Sequence, residues 1–149
     1  MKQLSSIIFV VISALFLISC EGNSPTHDQP SLMQKSAKRG VSFNFTNIQD
    51  LPLLSPAISW SYNWANDQNS TAALWFDTNE MDFCPMCWNG SYSAAKIRQY
   101  VQEHPNTKYL LGFNEPNLTD QCNMTPVQAA EQWPQVVALA RELNLKLIS

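Results

Sequence analysis

The chain has 149 residues, close to the size of one domain. Apolar residues make up 45% of it, charged residues 14%, and the formal charge is −3, a globular composition. No stretch gathers Lys or Arg, so no nucleic-acid partner is expected. Five Trp, four Tyr and seven Phe serve a core or a sugar-stacking cleft until their positions are read.

Met1-Lys2 gives a positive start, and Leu4 to Ile18 is apolar apart from Ser5, Ser6 and Ser13. That run is too short for a stable membrane span and suits an export signal. Its end, Leu17-Ile18-Ser19-Cys20, resembles the lipobox of bacterial lipoproteins. The resemblance implies cleavage before Cys20 and acylation of that cysteine, and several acyl chains on one residue anchor firmly. Glu21 stands where an Asp commonly retains such proteins at the inner membrane. The expected location is therefore the cell envelope, at the outer membrane or cell surface, held by the N-terminal lipid. Residues 20–37 are polar, with Pro25 and Pro30, and read as a flexible tether in which His27 is solvated. The domain proper is expected over residues 38–149.

In Lys38 to Phe45 the alternation Val41, Phe43, Phe45 predicts a first strand. Asn47 to Leu54 is a short helical or irregular connection, since Pro52 and Pro56 prevent a long helix. Ala57 to Trp64 is a second strand with Trp60, Tyr62 and Trp64 in one phase. Either the three aromatics pack under a helix, or Trp60 is core while Tyr62 to Trp64 form the tip that lines a cleft. Ala65 to Thr71 is loop, and Ala72 to Phe76 is apolar and ambiguous. Met81 to Trp88 is a third strand that ends at the Asn89-Gly90 turn signal. Ser91 or Ser93 caps a helix with Ala94, Ile97, Tyr100 and Val101 on its apolar face, and Pro105 follows it.

Lys108 to Phe113 is a fourth, buried strand, and it runs straight into Asn114-Glu115-Pro116-Asn117. A carboxyl and an amide at the C-terminal tip of a buried strand are where an α/β barrel keeps its chemistry. Glu115 is read as a catalytic acid/base and Asn114 as the residue holding substrate beside it. Pro116 stops the ladder and should bias Glu115 to an extended backbone. Thr125-Pro126-Val127-Gln128 is a helix start with a capping box. Ala130, Trp133, Val137, Ala140 and Leu143 recur behind it at helical spacing, and Leu145 to Ile148 begins a fifth strand. Alternating strands and helices predict a parallel α/β sheet of right-handed βαβ units. The spacing fits the first half of an eight-fold barrel, with a small doubly wound sheet as the alternative. No Gly-rich phosphate loop follows any strand, which argues against nucleotide binding.

Lys38-Arg39-Gly40-Val41, Trp60-Ser61-Tyr62-Asn63-Trp64, Phe83-Cys84-Pro85-Met86-Cys87-Trp88 and Leu111-Gly112-Phe113-Asn114-Glu115-Pro116-Asn117 together resemble glycoside hydrolase family 128, the Asl1-like glycosyl hydrolases. Gln121-Cys122-Asn123-Met124-Thr125-Pro126, with Ala129-Ala130 and Trp133, extends the likeness. The resemblance implies a (β/α)8 TIM barrel and retaining endo-β-1,3-glucanase activity on a β-glucan polysaccharide, without a cofactor or metal. It implies that Asn114 holds the sugar 2-hydroxyl, that Glu115 is the acid/base, and that Tyr62, Asn63, Trp64, Trp88 and Gln121 line the cleft. Two departures are Asn117, where the family often has Asp, and Cys84 and Cys87, where apolar residues are more usual. Retaining hydrolysis needs a second carboxyl about 5 Å from the first, which the resemblance places at the end of a seventh strand. An eight-fold barrel takes about 250 residues. The 149 residues therefore read as its N-terminal half, truncated near strand five, with open strand edges and inactive by itself. The alternative function is a non-catalytic, surface-anchored glycan-binding lipoprotein, and a less favoured one is a structural lipoprotein without glycan contact.

Cys84-Pro-Met-Cys87 suits neither a redox pair, which sits at a helix N-terminus, nor zinc, which wants four ligands. In an exported protein a disulfide is expected instead, between Cys87, nearer the strand end, and Cys122, with free buried thiols as the alternative.

Overall fold

The computed structural model describes residues 34–149. The export signal, Cys20, His27 and the tether as far as residue 33 lie outside the described residues. Strands β1 (Ser36–Ser42), β2 (Ile58–Tyr62) and β3 (Asp82–Phe83) pair in that order, all parallel. Strands β4 (Tyr109–Leu111) and β5 (Lys146–Ile148) form a second parallel pair. Helices α1 (Leu51–Leu54), α2 (Ser70–Thr78), α3 (Ala94–Glu103) and α4 (Pro126–Glu142) connect them, with a 3-10 turn at Ile48–Asp50 before α1.

The extended segment after β3 joins the two sheets. Cys84 N–H donates to Ser61 O at 2.8 Å, which continues the ladder to β2. Leu111 N–H then donates to Pro85 O and Cys87 N–H donates to Leu111 O, both at 2.8 Å, with Met86 opposite Leu111. The strands thus follow one another in chain order and all run parallel. Sequential order is compatible with a barrel, and among the described residues it lacks the reversal that defines a doubly wound sheet.

Strand limits differ from those predicted. β1 starts at Ser36 and ends at Ser42, so Phe43 and Phe45 do not continue its alternation. Phe45 is fully buried with Leu51 and Phe76, while Phe43 is exposed and meets the Phe45 ring edge-on at 5.1 Å. The third strand is regular over Asp82–Phe83 alone, because Pro85 has no N–H to give on its β4 side, although Met86 N–H still donates to Ala65 O beyond β2 at 2.9 Å. The ambiguous Ala72–Phe76 run is the centre of α2, whose Asn69 cap accepts from Ala72 N–H at 3.0 Å.

The helix starts follow the expected chemistry. Ser93 caps α3 by accepting from Lys96 N–H. Thr125 and Gln128 exchange both capping-box hydrogen bonds at the start of α4, at 3.2 and 2.8 Å. The buried face of α4 is Val136, Leu139 and Ala140 rather than a stripe through Ala130, which is exposed. Pro134 lies inside this helix. It removes the bond to the Ala130 carbonyl, so the first half is free to face a different neighbour, and Trp133 packs on Phe113 at 5.6 Å.

Register assigns the sheet faces. Val41, Ser61 and Phe83 share one row, and Phe83 meets Tyr100 of α3 at 5.1 Å, so this face looks towards the helices. Gly40, Trp60 and Asp82 form the adjacent row, which points to the opposite face. Trp60 is half-buried there. Its indole lies across Gly40, where an added Cβ would fall 2.0 Å from the ring. Gly40→Ala should therefore force the indole aside and lower stability by about 1–3 kcal/mol, the usual cost of overpacking. In the complete natural polypeptide this reads as a lower denaturant midpoint at unchanged slope. An unchanged midpoint would show that the ring moves freely.

Candidate active site

The strand tips of β2, the 84–88 segment and β4 carry most of the anticipated site. Asn114 N–H donates to Trp88 O at 2.9 Å, so a ladder bond sets the Asn114-Glu115 tip beside the Trp88 backbone. Trp88 is half-buried and shares the phase of Met86, opposite the helix-facing Cys87 and Leu110. Asn114 Nδ2 donates to Gln121 Oε1 at 2.9 Å. Two of the predicted residues are thereby brought into direct contact across the loop that follows β4.

That loop is closed on itself. Leu118 N–H donates to Glu115 O at 3.0 Å and Met124 N–H donates to Pro116 O at 2.7 Å. Glu115 is exposed and has φ of 43°, which corrects the extended backbone expected before Pro116. The turn to Leu118 requires the left-handed conformation, at a strain of about 1–3 kcal/mol. Trp64 at the tip of β2 is also left-handed, with φ of 60°. It is 41% exposed, and its ring meets Tyr62 edge-on at 5.3 Å. A broad aromatic face is thus presented to solvent beyond the end of β2.

Asn63 is used differently from its neighbours. Its Nδ2 donates to Asp67 O at 3.2 Å and Gln68 Oε1 at 3.3 Å, and its Oδ1 accepts from Ala65 N–H at 3.1 Å. Its carboxamide holds the β2–α2 loop in shape. Asn66, not singled out from the sequence, ties that loop to the rest. Its Nδ2 donates to Met86 O at 2.9 Å, and its Oδ1 accepts from Ser93 N–H at 3.0 Å. One side chain thus links the β2 tip, the 84–88 segment and the start of α3. The only signal in the sequence was an Asn in an Asn-rich loop.

Other acids are placed away from Glu115. Asp82 begins β3 and pairs with Lys108 Nζ at 2.8 Å. It lies six residues before Trp88, about 20 Å along the strand direction, far beyond the separation that paired carboxyls need. Asp120 is exposed in the Glu115 loop. His104 follows α3 and its Nδ1 lies 2.7 Å from Asp77. Among the described residues no group of three or more His, Cys, Asp or Glu is arranged to hold a metal ion.

The expected Cys87–Cys122 bond is not formed, and Cys84, Cys87 and Cys122 are free and buried. Cys87 turns into the helix-side cluster with Ile97, Leu110 and Val136, whereas Cys122 borders a separate cavity with Asn89 and Ser91. Burial, with the Asp82 carboxylate adding to it, pushes the Cys84 thiol up to about 12. Burial alone pushes Cys87 up to about 12.

The family described as glycosyl hydrolase catalytic core matches residues 40–149. A family 128 (subgroup II) endo-β-1,3-glucanase from Pseudomonas viridiflava is 40% identical with a TM-score of 0.70, over 76% of this chain and 45% of that one. The corresponding enzyme from Sorangium cellulosum is 35% identical with a TM-score of 0.65, over 74% and 44%. A subgroup III curdlan-specific exo-β-1,3-glucanase from Blastomyces gilchristii, in complex with glucose, is 27% identical with a TM-score of 0.57, over 76% and 44%. The chain thus spans less than half the length of these enzymes. No curated protein matches it.

The thiol geometry has a measurable consequence. Thiolate is the reactive form, so alkylation at pH 8 should label Cys84 and Cys87 in the intact protein only after denaturant is added. Both thiols titrate higher folded than unfolded, so their neutral form leaves stability intact below about pH 9. That contribution is lost as pH rises from about 9 to about 12. Peptide mass spectrometry reads the labelling. Fast labelling without denaturant, or a linked Cys87–Cys122 peptide, would contradict the buried free thiols.

Proposed function

Because this chain belongs to the glycosyl hydrolase catalytic core family, we propose that it supplies the acid/base side of a retaining endo-β-1,3-glucanase built on a (β/α)8 barrel. The observation that carries this reading is the Asn114-Glu115 tip, set beside Trp88 by a backbone bond and braced through Gln121. Glu115 protonates the glycosidic oxygen as the bond to the sugar breaks, and in the second step it takes a proton from the attacking water. Gln121 occupies one N–H of the Asn114 amide. The other N–H and Oδ1 are left for the sugar 2-hydroxyl, a contact that strengthens in the transition state. Tyr62, Trp64 and Trp88 offer ring faces to the apolar C–H surface of glucan. The enzymes from Pseudomonas and Sorangium are named endo-β-1,3-glucanases, and this chain spans 45% and 44% of them. The nucleophilic carboxyl is assigned to the remainder of the whole protein, at the end of a seventh strand and about 5 Å from Glu115.

Glu115→Gln keeps the shape of the side chain and removes its proton. In the complete natural polypeptide it should lower the rate of β-1,3-glucan hydrolysis by about 10²–10⁴, while glucan binding persists. An unchanged rate would overturn the acid/base assignment. Binding without product release in the wild type would favour the non-catalytic glycan-binding reading.

The same proposal includes the lipid anchor at Cys20 and a place in the cell envelope, at the outer membrane or cell surface. β1 enters the domain at Ser36, at the end of the strands opposite Glu115. Lys35 Nζ donates to Asn79 O and Glu80 O at 2.8 Å at that same end. A tether from Cys20 therefore joins the domain at the end opposite the candidate cleft. Cys20→Ser should move the protein from the membrane pellet to the soluble fraction in its host. Retention in the pellet would dismiss the anchor.

A further inference from the structure

The Asn89-Gly90 pair reads in sequence as a turn signal, yet no glycine among the described residues has a positive φ. Gly90 is glycine for a different reason. A Cβ there would fall 1.3 Å from Oε1 of Gln132 on α4, so the missing side chain is the space that the Gln132 carboxamide fills. Around this contact lies a cavity of about 460 Å³ lined by Asn89, Ser91, Asn123, Gln128, Gln132 and Gln135, with no charged residue. Its volume is that of a small-ligand pocket. It lies outside the Asn114-Glu115 tip, between the β3–α3 loop, the β4–α4 loop and α4.

Two of the amides are half-used by the fold. Asn89 Oδ1 accepts from Ser91 N–H at 2.9 Å and Gln128 Oε1 accepts from Thr125 N–H at 2.8 Å. Their acceptor oxygens are thereby held in place, which leaves their NH2 groups as donors to a ligand. Carboxamides both donate and accept, and so do sugar hydroxyls. An uncharged lining gives no attraction to an ion, and an amide lining does not match an apolar ligand.

We infer that this cavity is a secondary binding site for a neutral, hydroxyl-rich sugar unit, separate from the cleft at Glu115. The identity of the sugar as a β-1,3-glucan unit rests on the proposed function, whereas the amide chemistry does not. The cavity offers no aromatic platform, so one unit binds weakly by hydrogen bonds alone. Its effect appears on a polymer already held in the cleft, where a second contact becomes intramolecular and raises overall affinity.

The test uses the complete natural polypeptide carrying Glu115→Gln, with laminaritriose as the probe and nuclear magnetic resonance as the readout. Titration should shift the side-chain amide signals of Gln132 and Gln135 together with the backbone signals of Asn114 and Gln121. Shifts at Asn114 and Gln121 alone would overturn the secondary site and leave the proposed function standing. Shifts at Gln132 and Gln135 alone would support the site and count against the cleft. No shift at either would overturn both. On insoluble β-1,3-glucan, Gln132→Ala combined with Gln135→Ala should weaken binding at least about fivefold at unchanged melting temperature. Equal affinity of the double variant would overturn the site.

Discussion

The arrangement of the chain depends on the two hydrogen bonds that Leu111 exchanges with the segment after β3. Leu111 N–H donates to Pro85 O, and Leu111 O accepts from Cys87 N–H. Each such bond contributes only about 0.5–1.5 kcal/mol net, but together they decide register. A one-residue slip of the 84–88 segment would turn Met86 and Trp88 to the helices and take Cys87 out of the helix-side core. Pro85 suits this seam. Its carbonyl accepts from Leu111 N–H of β4, while Cys84 and Met86 on either side of it donate to Ser61 O and Ala65 O on the β2 side, so the missing N–H costs one bond on the β4 side alone. The segment is thus paired on both edges, to the end of β2 and to β4.

The consequence for the site is direct. Once Leu111 is in register, Asn114 N–H meets Trp88 O and the ladder ends at the polar tip. The loop beyond it is pinned at several points by Glu115 O, Pro116 O and the Thr125–Gln128 box at the head of α4. Gln121 sits in the middle of that frame and reaches back to Asn114. The left-handed backbone at Glu115 and at Trp64 is strain that persists because the surroundings over-determine it. Both residues stand at strand tips. A pre-set loop loses less conformational freedom when a ligand arrives.

Much of this was legible residue by residue. Thr125, Pro126 and Gln128 specify the start of α4 by local hydrogen bonding alone, and the structure contains both bonds of the box. Ser93 does the same for α3. The alternation of strands with helices, and the placement of Asn114-Glu115 at a strand end, followed from hydrophobic patterning and from the stop that Pro116 imposes. Local signals of this kind work because capping and ladder termination involve groups within a few residues of each other.

Other features were settled by partners distant in sequence. Phe45 leaves the β1 alternation because Leu51 and Phe76 offer it a buried place. Trp60 lies across Gly40 because two parallel strands bring them level. Gly90 is explained only by Gln132, forty-two residues later, and Asn66 only by Met86 and Ser93. Cys87 remains apart from Cys122 because its phase turns it into the helix-side core. The sequence by itself determined the five strand segments, helices α3 and α4, and which strand tip carries a carboxyl beside an amide, while α2 was left ambiguous. The tertiary structure alone decided where strands end, which face of α4 is buried and which side chains meet, because those depend on the register between strands. Register is a property of the packed sheet and is written in no single segment.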